Sequence, residues 1–267
     1  MSAIEGEEDL RWAFGLNLAS LEFMGVWPHQ GDSQIWAFLR NVRALLMSGI
    51  VIFGAVVPAL YALYKVTPNL LLVCDNLASN CACGIGAIKL IFLWKHRRGL
   101  EMLMREAIRD WSSEKTSWER SVMKKEAHRA RSFTIGGYVA IMCCVFGFDF
   151  FPVLRIEHRI INNITDPGMD DGRYFPVQSF YPFDATKSPL YEIMYISMCT
   201  AGFFVGTGLM VPDQLFTAMI FHAAAQFEIL GRKMRDLFDQ IHFEEGDRSV
   251  IRMKIREIVN DQVRLVT

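Results

Sequence analysis

Cysteine is the residue type in this sequence that could most readily do chemistry, by binding a metal or forming disulfides. The six cysteines include a Cys-Ala-Cys triplet at Cys81 and Cys83 and an adjacent pair at Cys143 and Cys144. All six lie in apolar stretches, and no paired histidine or carboxylate accompanies them at the spacing that zinc ligands require. We expect them to pack between helices as small, polarizable side chains. We therefore predict no metal, no cofactor and no disulfide framework.

Motifs that carry enzyme catalysis are also missing from the sequence. It contains no Gly-rich phosphate loop, no HExxH zinc motif and no serine nucleophile elbow. The histidines at positions 128, 158, 222 and 242 are scattered along the chain rather than grouped. We expect neither enzymatic activity nor a nucleic-acid partner.

Four long apolar blocks, separated by charged segments, determine the fold class. The chain is 52% hydrophobic and has a mean hydropathy of +0.20. A bilayer core of about 30 Å requires about 20 apolar residues of helix, which is the length of these blocks. The pattern predicts an all-α, polytopic membrane bundle with spans near residues 44–64, 69–94, 133–154 and 190–211. A soluble helical core is the alternative, but soluble helices rarely stay apolar on every face.

The fourth block is too long for a single crossing. It stays largely apolar from Leu190 to Leu230, which is about 60 Å of helix. We interpret it as a span that ends near Val211 and then continues as a helix into water or protein. Residues 213–267 are predicted to form a cytoplasmic helical region. Its apolar pattern continues up to Thr267, so we expect the chain to be incomplete at its C-terminus.

Lysine and arginine indicate the orientation of the spans. The loop 95–132 carries eleven of them and the segment after Gly231 carries eight, whereas the third loop carries four and the first carries only Lys65. By the positive-inside rule the N-terminus, the second loop and the C-terminal region are cytoplasmic. The triplet at Asn163–Thr165 then falls on the outer side, where Asn163 is predicted to carry a glycan. This orientation is opposite to that of G-protein-coupled receptors.

Two stretches of the sequence resemble the insect odorant receptor family. The stretch YPFDATKSPLYEIMY, from Tyr181 to Tyr195, is similar to the aromatic, proline and acidic lead-in to that family's fourth span. The stretch LEFMGVWP, from Leu21 to Pro28, resembles the family's short N-terminal motif. The orientation, the long basic second loop and the over-long fourth helix agree, so the resemblance extends from Leu10 to Thr267.

The resemblance implies a function in olfaction. It implies an odorant receptor of the plasma membrane, which binds volatile small molecules as a subunit of a ligand-gated cation channel with a co-receptor. Members of the family have seven spans and line the pore with the seventh. Since four spans are predicted here, we expect the pore part to be absent and the chain to be a fragment or a short isoform. The expected partners are an odorant, the co-receptor subunit and membrane lipid.

Candidate ligand residues follow from the family's pocket, which lies in the outer half of the bundle. Polar groups in lipid are costly and normally face a cavity or another helix, which selects Asn76 in span two. Spans three and four each carry a largely apolar stripe at helical spacing. The stripe on span three also includes Asp149, and the stripe on span four includes Gly202. The predicted ligand-binding residues are Asn76, Met142, Phe146, Phe150, Tyr191, Tyr195 and Met198. The stripes also suit ordinary helix packing.

Three other functions remain open from the sequence. A gustatory receptor of the same superfamily is the nearest alternative. A four-span membrane adaptor, which binds partners through its basic cytoplasmic helices, is the second. The third is a transporter fragment, which predicts internal inverted repeats that we do not find. A reading frame that continues into three more spans would separate the receptor from the adaptor.

Overall fold

A computed structural model describes residues 3–27, 33–150, 175–185, 187–243 and 248–266, and the regular secondary structure within these ranges is helical. The predicted glycosylation residue, Asn163, and residues 151–154 of the third predicted span lie outside them. In chain order the helices are α1 (Ala3–Phe23), α2 (Gln34–Val51), a π-helical turn (Ile52–Val56), α3 (Val57–Val66), α4 (Leu70–Lys95), α5 (Arg97–Ser112), α6 (Ser117–Phe150), α7 (Leu190–Phe243) and α8 (Arg248–Val266).

Four helical segments of the described chain are long and apolar enough to cross a membrane. They are Gln34–Val66, Leu70–Lys95, Ser117–Phe150 and Leu190–Asp239. Each contains or overlaps one of the predicted spans, and the first is formed by α2, the π turn and α3. The predicted fold class, an all-α bundle of membrane helices, is confirmed.

Residues 21–27 of the LEFMGVWP stretch end α1 and form a turn after it. Gly25 has a φ of +71°, and the hydrogen bonds from Gly25 N to the Glu22 carbonyl and from Val26 N to the Leu21 carbonyl are both 3.0 Å long. This pairing is the Schellman motif, which places glycine at the left-handed position. A Cβ at Gly25 would lie 2.7 Å from the carbonyl oxygen of Arg40, so the position requires glycine sterically as well.

The first membrane segment changes its helical geometry in the middle. The π turn Ile52–Val56 directly precedes α3, whose first turn contains Pro58. Proline has no N–H to continue the helical hydrogen-bond ladder, and its ring crowds the preceding turn. The wider π turn accommodates this change without breaking the segment.

The helix α7 runs for 54 residues and passes through Pro212. Proline removes one helical hydrogen bond and weakens the turn before it. In that turn, the Lys89 ammonium donates to the carbonyl of Leu209 at 3.4 Å. Lys89 of α4 thus forms a hydrogen bond with the backbone of α7 in the turn before Pro212.

Small residues let α4 and α7 approach closely. A Cβ at Gly86 would lie 3.2 Å from the Val205 carbonyl, and one at Gly208 would lie 2.8 Å from Leu90 Cγ. Close backbone approach at small residues is the usual way in which membrane helices pack. The contact holds these two spans together.

The contacts within the chain form two compact units. One consists of Asn17–Glu101 and Gly136–Asp213 and contains most of the apolar membrane segments. The other consists of Met1–Leu16, Met102–Ile135 and Gln214–Thr267, which include the charged helices.

Lysine 233 joins three helices of the charged unit. Its ammonium lies 3.2 Å from Glu119 of α6, and 3.3 and 3.2 Å from Glu257 and Asp261 of α8. Glu119 is almost fully buried, with 4% of its surface exposed. Because a buried carboxylate requires compensating partners, Lys233 stabilises this arrangement of α6, α7 and α8.

Candidate ligand-binding site

The segment 175–185 packs on the first turns of α7. Two prolines prevent it from forming a regular helix. The ring of Phe175 lies 5.3 Å from that of Tyr191 and 5.7 Å from that of Tyr181, and the Tyr191 and Tyr195 rings are 5.8 Å apart. These are distances at which aromatic rings attract each other. The segment therefore forms an aromatic cluster with two of the predicted ligand residues.

The same segment is also attached to α3. The backbone N–H of Phe180 donates to the carbonyl oxygen of Pro58 at 3.1 Å, and its ring lies 5.1 Å from that of Tyr61. The ammonium of Lys65 lies 5.3 Å from the centre of the Phe180 ring, which adds a cation–π contact. Segment 175–185 is thus fixed at both α3 and α7.

Asn76 of α4 takes part in a polar network with this segment. Only 1% of its surface is exposed. The Asn76 amide donates to the backbone carbonyl of Gln178 at 3.5 Å and accepts from the Asn80 amide at 2.5 Å, while the Gln178 side chain donates to Asp75 at 2.8 Å. The amides of Asn76 and Asn80 are therefore buried within the protein, whereas Asp75 is exposed.

Tyr195 connects α7 to α6. Its hydroxyl donates a hydrogen bond to the backbone carbonyl of Asp149. About two turns further along α7, a Cβ at Gly202 would lie 3.5 Å from the Asp149 carboxylate. The tyrosine hydroxyl is therefore engaged within the protein, and the ring remains as the part that can contact a ligand.

The remaining predicted ligand residues differ in exposure. Met198 is 5% exposed and Met142 is half-buried, whereas Phe146 and Phe150 are 58% and 55% exposed. The rings of the two phenylalanines are 6.1 Å apart. The two aromatic residues of the stripe predicted on α6 thus lie on the surface of the described chain.

An apolar groove of about 570 Å³ lies between α2, the π turn and α7. It is lined by Val42, Leu45, Leu46, Gly49, Ile50, Phe53, Gly54, Tyr181, Met194 and Ser197. Within the described part of the chain, none of the seven predicted ligand residues lines it. Tyr181 belongs both to this lining and to the aromatic cluster with Phe175.

Comparison with known proteins identifies the family. The model of the 7tm Odorant receptor family matches residues 69–267, which is three-quarters of the chain. The chain belongs to this family. The resemblance seen in the sequence is thereby confirmed. No sequence among curated proteins matches the chain.

Two solved structures show the same odorant receptor fold. The structure of the insect olfactory receptor OR5 from Machilis hrabei in complex with eugenol matches with a TM-score of 0.72 and 16% identity, over 99% of this chain and 64% of that chain. A second structure of OR5 gives a TM-score of 0.67 and 17% identity, over 96% and 63% of the two chains. The chain thus spans about 64% of the length of these neighbours.

The groove is the feature of this chain that sequence reasoning missed. The repeated methionine and aromatic residues direct attention to spans three and four. On span one the signal is instead a pair of glycines, Gly49 and Gly54. Small residues within a membrane span mark places where a surface is concave or where another helix approaches.

Proposed function

We propose that this chain takes part in odorant detection, by binding volatile small molecules in the outer half of its membrane spans. The observation that carries this proposal is the match of the 7tm Odorant receptor family to residues 69–267. As the resemblance implies, the chain contributes ligand-binding spans to a subunit of a ligand-gated cation channel with a co-receptor. The same match favours this function over a gustatory receptor, a four-span adaptor or a transporter fragment.

The proposed pocket contains the seven residues selected from the sequence. They are Asn76, Met142, Phe146, Phe150, Tyr191, Tyr195 and Met198. The aromatic cluster at Tyr191 and the burial of Met198 support this choice, since pockets for small molecules are lined mainly by apolar and aromatic side chains. Methionine adapts its shape to different ligands, which suits recognition of several volatile compounds.

Ligand recognition in this pocket is proposed to rest on shape rather than on hydrogen bonds. Two of the three residues that offer polar groups already use them within the protein, because Asn76 bonds with Asn80 and Tyr195 with Asp149. A ligand hydroxyl at either of these two residues would have to compete with its bond. Apolar compounds gain dispersion and burial without this cost.

We propose a plasma-membrane orientation with the N-terminus in the cytoplasm. The support is the distribution of Lys and Arg, which concentrates in the loop 95–132 and after Gly231. Residues 1–267 form one receptor domain in this proposal, with 213–267 as its cytoplasmic helical region. Asn163 then lies outside the cell.

Binding to the purified chain tests the proposal directly. A panel of volatile compounds is titrated against the chain in lipid nanodiscs, with displacement of an apolar fluorescent probe as the signal. We expect Met142→Ala to weaken the best ligand by about tenfold, since a change of this kind in an apolar pocket is worth about 1–3 kcal/mol.

The matched control is Ile196→Ala, which truncates a residue of α7 that is 65% exposed. We expect this control to leave affinity unchanged. Equal affinities in the wild type, Met142→Ala and Ile196→Ala would contradict the pocket assignment. If no compound displaces the probe, the proposed odorant binding by this chain is wrong.

A further inference from the structure

The groove between α2 and α7 has an open side formed by large apolar residues. Leu45 and Leu46 of α2 are 58% and 61% exposed, and Phe53 of the π turn is 74% exposed. All three belong to the segment Gln34–Val66, which is apolar enough to cross a membrane. Exposed apolar side chains of such a segment face the hydrocarbon of the bilayer. The groove therefore opens toward lipid tails.

Two glycines shape the floor of this groove. A Cβ at Gly49 would meet no heavy atom within 4 Å, whereas one at Gly54 would lie 3.2 Å from the Ser197 hydroxyl of α7. Gly54 thus sets the close approach of the two helices, and Gly49 leaves the surface of α2 concave beside it. The open space at Gly49 is large enough for a substituent, which makes the position useful for experiments.

The π turn that accommodates Pro58 also shapes the groove. Single π turns within α-helices are rare and occur frequently at functional sites. This one, Ile52–Val56, contributes Phe53 and Gly54 to the groove. It therefore gives the groove a shape that a regular helix would not have.

The hydroxyls in the groove come from Tyr181 and Ser197, and its other lining side chains are apolar or glycine. Burial raises the pKa of the Tyr181 phenol, so the phenol stays protonated at physiological pH. Both residues can then donate hydrogen bonds, for example to an ester carbonyl. An apolar surface with a few hydrogen-bond donors is complementary to a lipid rather than to water.

We propose that this groove is a lipid site, which takes one acyl chain of a phospholipid from the surrounding bilayer. Its volume of about 570 Å³ is in the range of small-molecule pockets, but such pockets enclose most of the ligand surface. This groove stays open along Leu45, Leu46 and Phe53. The uncovered side of an acyl chain bound there is not exposed to water, because it faces other acyl chains. The proposal does not depend on odorant binding.

Photo-crosslinking in membranes tests the site. The full 267-residue chain is placed in bilayers that contain a phospholipid with a photoactivatable acyl chain, and labelled positions are mapped by mass spectrometry. We expect labels to concentrate on residues 42–54 and 194–197. The label at these positions should also saturate and be displaced by unlabelled phospholipid. Even labelling of all membrane-length helices, or labelling that does not saturate, would overturn the proposal.

Filling the groove provides the matched pair of variants. Gly49→Phe places a ring in the open space, while Gly136→Phe adds the same ring to α6, where a Cβ also meets no atom within 4 Å. We expect Gly49→Phe to reduce groove labelling on the order of tenfold, which corresponds to about 1.4 kcal/mol. Gly136→Phe should leave groove labelling unchanged. Gly49→Leu, with a smaller side chain, replaces Gly49→Phe if the latter does not reach the membrane.

Two other occupants would be recognised in the same experiment. Displacement of the groove label by volatile compounds, but not by unlabelled phospholipid, would assign the groove to a small ligand and overturn the lipid site. Crosslinks between α2 segments of two chains would show that a second copy covers it, with the same consequence. Unchanged groove labelling in Gly49→Phe would also contradict the proposal.

Discussion

The ammonium of Lys89 lies 2.7 Å from both carboxylate oxygens of Asp213 and thereby joins α4 to α7 beside Pro212. The same ammonium donates to the carbonyl of Leu209, in the turn that proline weakens. One lysine therefore contributes an ion pair and a backbone hydrogen bond beside the proline of the longest helix in the described chain. The pair is partly exposed, with 31% and 52% of the two side chains accessible.

Replacing Lys89 by methionine is expected to destabilise the contact between α4 and α7. The substitution keeps a long apolar stem but removes both polar contacts. Because the pair is neither fully exposed nor buried, we expect a loss of about 1–3 kcal/mol, between the values for surface and buried pairs. The measurement is thermal unfolding of the purified chain in detergent.

Lys95→Met is the control for this substitution, since it removes one positive charge from the last turn of the same helix. It should change the unfolding temperature much less. If Lys89→Met and Lys95→Met lower it equally, the contact with Asp213 and Leu209 does not contribute as described.

Gly86→Val should disrupt the packing of the same two helices. A Cβ there would lie 3.2 Å from the backbone carbonyl of Val205, and backbone cannot move aside as a side chain can. Overpacking of this kind costs about 1–3 kcal/mol. Gly84→Val, two residues earlier in α4, adds the same side chain where a Cβ meets no atom within 4 Å. We expect only Gly86→Val to lower thermal stability and membrane expression; equal losses would contradict the close packing.

The sequence predicts the membrane segments well because their determinant is local. About 20 apolar residues in a row suffice to cross a bilayer, whatever their neighbours are. The start of α6 also has a local sequence signal, which the sequence analysis above does not use. Thr116 and Glu119 form a capping box, in which the Glu119 carboxylate accepts from Thr116 N at 2.7 Å and the Thr116 hydroxyl accepts from Glu119 N at 3.4 Å. This local signal places the helix start well before the apolar span.

The candidate site was less predictable because it depends on contacts between distant parts of the chain. Burial of Asn76 followed from the cost of a polar group in lipid. The partner of the Tyr195 hydroxyl is a backbone carbonyl of another helix, which no spacing in the sequence identifies. The groove depends on the side by side placement of Gly49 with Met194 and Ser197, nearly 150 residues away in the chain. Such a placement results from tertiary packing alone.

The orientation of the chain predicts which sites are accessible from outside the cell. An epitope tag before Met1 should be protected from antibody on intact cells and should become accessible after permeabilisation. In a glycosylating host, Asn163→Gln should remove one glycan and raise electrophoretic mobility. Gln178→Asn, which creates no acceptor triplet, is the control and should not change mobility. A tag that is accessible on intact cells would contradict the cytoplasmic N-terminus.

The conductance of this chain can be tested in cells that express a co-receptor of the family. The described residues contain four membrane-length helices, and the resemblance implies that the pore is lined by a seventh span. We expect the 267-residue chain to add no odorant-evoked current to that of the co-receptor alone. A chimera that joins residues 1–267 to spans five to seven of a related receptor should respond. An odour-specific current from the 267 residues themselves would show that they suffice for gating.

Tyr195 allows the contributions of ring and hydroxyl to be separated in that chimera. Tyr195→Phe removes only the hydrogen bond to the Asp149 carbonyl, so we expect a loss of stability of about 0.5–1.5 kcal/mol and an unchanged order of ligand preference. Tyr195→Ala also removes the ring, which lies 5.8 Å from that of Tyr191. If the ring lines the pocket, the loss of a large apolar contact should shift apparent affinity by about tenfold or more and change the ligand order.

Dose–response curves normalised to surface expression distinguish these effects. Ile196→Ala serves as the control, because it truncates the neighbouring exposed residue of the same helix turn. It should leave both expression and ligand order unchanged. If Tyr195→Ala lowers surface expression as Tyr195→Phe does but leaves the ligand order unaltered, Tyr195 is a packing residue between α6 and α7. In that case the ligand pocket does not include this part of α7, and Tyr191 would lose its main support as well.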